Sequence, residues 1–148
     1  MVRLLDINVL IALCDPAHAF HQSAWAWFKP LTRKGWATCP LTENGLLRIL
    51  GHPSYPHGPG SPVLVREMLV HLRQYAGYRF WPDDVTFSDQ TLFPSLQGLL
   101  HPQLTDVYLL GLAARHHGLL ATFDSRIPAA AVRENPSLEF IPKSRISA

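Results

Sequence analysis

No stretch of this chain approaches the roughly 20 consecutive apolar residues that a bilayer span requires, so no membrane association is expected. Only two cysteines occur, Cys14 and Cys39, each among apolar neighbours and outside any CxxC or Cys/His spacing. They read as core thiols of a cytoplasmic protein, which argues against a disulfide framework or a zinc centre. Lysine is absent between Lys34 and Lys143, and no internal repeat is apparent. Charged residues make up only 16% of the chain against 47% apolar ones, a composition that argues for a packed core and against disorder. The apolar N-terminus has no small-residue cleavage site after it, and Asp6 and Asn8 interrupt it. It therefore reads as structure and not as a secretion signal.

The 148 residues suffice for one domain, with a frayed basic tail expected over residues 143–148. Short apolar runs at Val2–Leu5, Trp36–Thr38, Tyr78–Trp81, Leu119–Thr122 and Leu138–Ile141 read as strands. Between them, helical spacing marks segments from about Ala17 to Leu31, Leu41–Leu50, Pro62–Tyr75 and Thr105–His116. The run "GHPSYPHGPGSP", Gly51 to Pro62, is too rich in Pro and Gly for regular structure and reads as a loop inside the domain. Strands alternating with helices predict an α/β fold with a parallel sheet covered on both faces.

In such a sheet, ligands bind beyond the carboxyl ends of the strands, and that rule sorts the acids. Asp6, in "LLDINVLIAL", follows the first strand, and Asp124 follows the fourth. Glu43 and Asp106 open the helices next to the second and fourth strands. Each has a structural explanation, because helix N-termini favour acidic residues by about 0.3–1 kcal/mol. Glu43, however, shares a face with Leu46, Leu47 and Leu50, and Asp106 heads a helix without a polar face. Asp6 is embedded among leucines, where an unpaired carboxylate costs several kcal/mol. Converging carboxylates raise one another's pKa, and a divalent cation removes that conflict. Oxygen donors without Cys or a His cluster favour Mg²⁺ or Mn²⁺, which suits phosphodiester chemistry. With four acids gathered in one site, basic side chains would outnumber the remaining acids nearly two to one, as a polyanion-binding surface requires.

"LLDINVLIAL", "TENGLLRIL", "LTDVYLLGLA" and "LATFDSR", in that order, resemble the four acidic motifs of the PIN-domain nucleases, and most closely the VapC-type toxins of toxin–antitoxin pairs. "ILGHPSYPHGPGSP" and "FWPDD" resemble one branch of that group, so the similarity spans nearly the whole chain. The resemblance implies a three-layer fold with strand order 3-2-1-4-5, Mg²⁺- or Mn²⁺-dependent endoribonuclease activity on structured RNA, a homodimer and a cognate antitoxin. It puts Asp6, Glu43 and Asp106 in the main metal site, with Asp124 holding a second ion or the attacking water. Asn8, Thr105 and Thr122 match the polar positions beside them. Strand three would be an edge, which makes Asp83 and Asp84 turn and cap residues.

Among the remaining polar and aromatic side chains, Arg48, Arg115 and Arg126 each follow an acid and are candidates for RNA phosphates. His18 and His21 have helical spacing but no third ligand near in sequence, so they read as solvated. His116 and His117 suit a helix C-terminus. Trp27 groups with the core set, leaving Trp25 for an interface or an antitoxin groove. Two other functions fit the pattern less well. An aspartyl-phosphate hydrolase needs a second acid where Asn8 stands, and a lysine before the later acids. A non-catalytic PIN-shaped module would have no need of the four acids.

Overall fold

The computed structural model describes residues 1–132 and 138–143. Five strands, β1 (Arg3–Leu5), β2 (Trp36–Thr38), β3 (Tyr78–Phe80), β4 (Leu119–Thr122) and β5 (Leu138–Phe140), form one sheet in the order β3-β2-β1-β4-β5. Every pairing is parallel, with Leu4 opposite Ala37 on one side and Leu120 on the other. The expected strand order is the observed one.

Alternation along these strands divides the core in two. Leu5, Trp36 and Ala121 face helices α1 (Ile7–Cys14), α2 (His21–Phe28), α3 (Pro40–Leu50) and α4 (Pro62–Leu72). Leu4, Ala37 and Leu120 face helix α5 (Leu104–Arg115) together with Trp81 and Phe93 from the segment before it. Three layers result, and β1 is covered on both faces, as its unbroken apolar run requires.

The strands fall where the sequence places them, to within a residue. The helix expected from Ala17 is shorter. It starts at His21, because Asp15 Oδ1 accepts the Ala17 N–H (3.0 Å) and His18 Nδ1 accepts the Phe20 N–H (3.0 Å). These local bonds satisfy the backbone in a turn and displace the first helical turn. At its far end the chain tightens into a 3₁₀ turn, Lys29–Arg33, around Pro30. Helix α1 follows Asp6 directly, where the apolar run reads as a strand entering a helix. The Gly51–Pro62 loop is fastened to the body of the domain, where Tyr55 Oη donates to Asp15 Oδ2 at 2.7 Å.

Close approach of α1 to α3 depends on Gly45. A Cβ there would lie 2.5 Å from Ile7 Cδ1 and 2.9 Å from Ile7 Cγ1, so any side chain would force Ile7 or the helix bearing Glu43 to shift.

Candidate active site

Asp6 caps α1 and is only 4% exposed. Oδ1 accepts the Ile7 N–H at 2.7 Å, and Oδ2 accepts the Thr122 hydroxyl at 2.7 Å. Thr122 closes β4 and is fully buried, so its hydroxyl acts as a hub between the two central strands. While donating to Asp6 it accepts the Asp124 N–H (3.0 Å) and the Asn8 side-chain amide (3.3 Å). The Asn8 carbonyl in turn faces the Phe123 N–H at 3.4 Å. One buried threonine thus fixes the rotamers of Asp6 and Asn8 and the backbone that carries Asp124. Burial pushes the Asp6 carboxyl above its ordinary range despite these bonds, and the charge of Asp124 adds to the rise.

Asp106, in the first turn of α5, joins this group through its field. Its carboxyl is pushed up to about 6, first by burial and then by the negative charges of Asp6 and Asp124. Asp124 behaves oppositely. It accepts the Arg126 N–H (2.9 Å) and Arg126 Nε (3.1 Å), and these contacts hold its carboxyl below the usual range.

Glu43 also points inward, as its helix face predicts, but its partners belong to the other side of the sheet. Oε2 accepts the hydroxyls of Thr38 (2.5 Å) and Tyr78 (3.2 Å), and Oε1 lies 3.8 Å from the Arg73 guanidinium. Arg73 also stacks over the Tyr78 ring at 4.9 Å. The structure therefore couples Asp6, Asp106 and Asp124 while Glu43 stays with the β2–β3 side. Among the described residues, no three acidic, histidine or cysteine side chains lie close enough together to hold an ion.

Other expected positions scatter. Thr105 is exposed and lines a shallow groove with Leu41, Asp83 and Tyr108, away from the Asp6–Thr122 network. Arg48 lies in the last turn of α3, beside His52 and Pro53. Arg115 pairs with Asp89 at 2.9 Å in the last turn of α5, some 14 Å of helix from Asp106. Only Arg126 adjoins the acids, since the helices carrying the other two run away from the carboxyl edge of the sheet. Asp83 accepts the Leu41 N–H at the start of α3 (3.1 Å), a cap as expected, and Asp84 pairs with His116 (3.0 Å), which stacks on Trp81. Trp25 donates to the Leu13 carbonyl (2.9 Å) while lining a groove with Cys14, Met68 and His71.

His18 is not a solvated helix position. It precedes α2 and lines a cavity with Asn8, Phe20, Phe123, Asp124 and Lys143. Sequence reasoning passed over Phe20 as core and Lys143 as tail. The signal for Phe123 was its place between Thr122 and Asp124 at the carboxyl end of a central strand. Of the expected tail, residues 144–148 lie outside the described residues.

No protein-family model matches the chain. It is, however, 39% identical over 131 residues to Ribonuclease VapC39 of Mycobacterium tuberculosis, an alignment covering 88% of this chain and 94% of that protein. The chain belongs to the VapC ribonuclease family. Ribonuclease VapC44 of the same organism is 37% identical over 132 residues, covering 89% of this VapC chain and 92% of the relative. The fold agrees with solved structures. VapBC2 from Rickettsia felis, bound to a DNA fragment from its promoter, superposes with a TM-score of 0.66 at 17% identity over 96% of this chain and 100% of that one. FitAB bound to IR36 DNA gives 0.65 at 23% identity, covering 95% and 94%. Both similarities concern the PIN fold.

Proposed function

We propose that this chain is an Mg²⁺- or Mn²⁺-dependent endoribonuclease, the toxin of a toxin–antitoxin pair, cutting structured RNA such as tRNA or rRNA to leave a 5′-phosphate and a 3′-hydroxyl. The observation that carries the proposal is the mutual field of Asp6, Asp106 and Asp124 at the carboxyl ends of β1 and β4. Relatives named as ribonucleases support the reaction class, and the antitoxin complexes among solved structures support a cognate antitoxin partner. A homodimer and a cytoplasmic setting belong to the same proposal. No described helix is long and apolar enough to cross a membrane.

The donor set fits a hard divalent cation: carboxylate oxygens, without thiolate or imidazole among them. Asp6, Asp106 and Asp124 are the carboxylates that would close on it from their shared field, whereas Glu43 is held by Thr38, Tyr78 and Arg73. Such an ion would offset the charge of the crowded carboxylates and supply the activation of a water for attack near neutral pH. The chain's own residues set the geometry. Thr122 holds Asp6 in one rotamer by donating to Oδ2, and Asn8 braces Thr122. Arg126 restrains Asp124 and places a guanidinium at the rim for an RNA phosphate.

The test is incubation of the purified chain with total tRNA and rRNA in Mg²⁺ or in EDTA, beside Asp6→Asn. Cleavage by the wild type in Mg²⁺ alone is expected. The tie of Glu43 to Thr38 and Tyr78 favours a second reading, a non-catalytic module of PIN shape. Absence of calorimetric Mn²⁺ binding to the free protein, together with absence of cleavage, would support that reading over the first.

A further inference from the structure

A cavity of about 340 Å³ opens beside the carboxylates, with Asn8 and Asp124 on the wall shared with them. Its floor is aromatic. The Phe20 and Phe123 rings stack with centroids 5.1 Å apart and planes inclined by 28°, which ties the turn before α2 to the end of β4. Phe123 is buried by this contact, whereas Phe20 keeps part of its surface open. Above Phe20 stands the Lys143 ammonium, 5.6 Å from the ring centroid. At the rim, the His18 ring lies 5.7 Å from Phe20. His18 Nδ1 accepts the Phe20 N–H, so the neutral ring carries its proton on Nε2 as a hydrogen-bond donor.

A stacking surface, a single flexible cation and a ring N–H beside a phosphodiester-cleaving site are the parts that grip an unpaired nucleotide. We propose that this cavity is a subsite for one unstacked nucleotide of the RNA, its base taking the place over Phe20 where the Lys143 ammonium stands and its phosphate drawing that ammonium off the ring. The proposal rests on the ribonuclease reading and deepens it. A base lying on Phe20 has left its own stack, so the RNA that reaches the carboxylates presents a loop, bulge or end. His18 Nε2–H supplies a donor for an acceptor on the base or the sugar. Arg126, tied to Asp124 and 88% exposed, covers the neighbouring phosphate. The subsite lies on the β4–β5 side, beyond Asp124 from Glu43, so the RNA strand is drawn across the end of β4.

The test is equilibrium binding of a short fluorescein-labelled single-stranded RNA of mixed sequence, followed by anisotropy in EDTA so that neither cleavage nor metal enters. Phe20→Leu keeps an apolar side chain but loses the π-face, and is expected to weaken binding about tenfold. Phe20→Trp should bind as well as the wild type or better, with its added indole fluorescence quenched by the RNA. Lys143→Gln should reduce the slope of log affinity against log salt by about 0.7, the share of one phosphate contact on a single strand. Duplex RNA of the same length should not respond to Phe20→Leu.

Wild-type affinity in Phe20→Leu, or equal losses in the leucine and tryptophan variants, would overturn the proposal. So would an unchanged salt slope in Lys143→Gln. These outcomes are separate from the nuclease assay. If Asp6→Asn still cleaves, the assigned chemistry fails while the binding result stands, and intact binding by Phe20→Leu in a metal-dependent nuclease removes the subsite alone.

Discussion

The two sides of the sheet's carboxyl edge use one device to opposite ends. On each, a fully buried threonine at the last position of a strand donates its hydroxyl to an acid on a neighbouring helix or its cap: Thr122 to Asp6, and Thr38 to Glu43. Around Glu43, Tyr78 adds a second donor and Arg73 a positive charge, so the carboxylate is solvated by protein. Around Asp6 the neighbouring charge is negative, and the cations beside this group, Arg126 and Lys143, act on Asp124. The same hydrogen bond settles one acid and merely orients the other. A site that keeps its carboxylates oriented but unneutralised is prepared for an outside cation, and the cost is borne by the metal-free protein.

The strongest way to break this contrast is Asp6→Asn, which should lower RNA cleavage at least about a hundredfold, as loss of a principal charge-stabilising group does. Retained activity would mean that Asp6 is only a helix cap. Next comes the threonine pair. Thr122→Val leaves Asp6 Oδ2 without its donor and should reduce cleavage about 10- to 100-fold, the usual effect of losing a group that orients a ligand. Thr38→Val should cost less than about tenfold, because Tyr78 still serves Glu43. Equal losses in the two variants would erase the distinction between the sides.

In EDTA, stability should depend on pH. The Asp106 carboxyl is raised to about 6 in the folded protein, so the native state holds that proton more tightly than the unfolded chain does. Its contribution to stability is therefore full below about pH 4 and is lost as the pH climbs through about 6. Denaturant unfolding across this range should show the wild type losing stability relative to Asp106→Asn, and Mn²⁺ should abolish the loss. A difference that grows in the opposite direction would refute the crowding. The smallest effect belongs to Tyr78→Phe, which removes one of the two hydroxyls on Glu43 and should destabilise the fold by about 1 kcal/mol or less. A larger loss of cleavage than of stability there would move Glu43 toward the reacting group.

Much of the fold was legible because the strands are short apolar runs separated by breakers, and Asp6 was legible as a carboxylate in surroundings that punish one. The convergence of Asp6 with Asp124 followed from the rule for strand ends. Glu43 was harder. Its inward direction could be read from Leu46, Leu47 and Leu50, but its partners Thr38, Tyr78 and Arg73 come from three other segments. Arg48 and Arg115 show the limit of reading by adjacency, since a few residues along a helix carry a side chain away from the edge that its first turn occupies.

The sequence by itself determined the layers, the strand order through family resemblance, and the acids available for chemistry. Periodicity and local burial cost are properties of consecutive residues. Tertiary structure alone decided which acids share a field, which is neutralised by Arg73, and that Phe20, Phe123 and Lys143 meet beside them. Those outcomes depend on contacts between residues from 30 to more than a hundred positions apart, and no local pattern encodes the sign of a distant neighbour's charge.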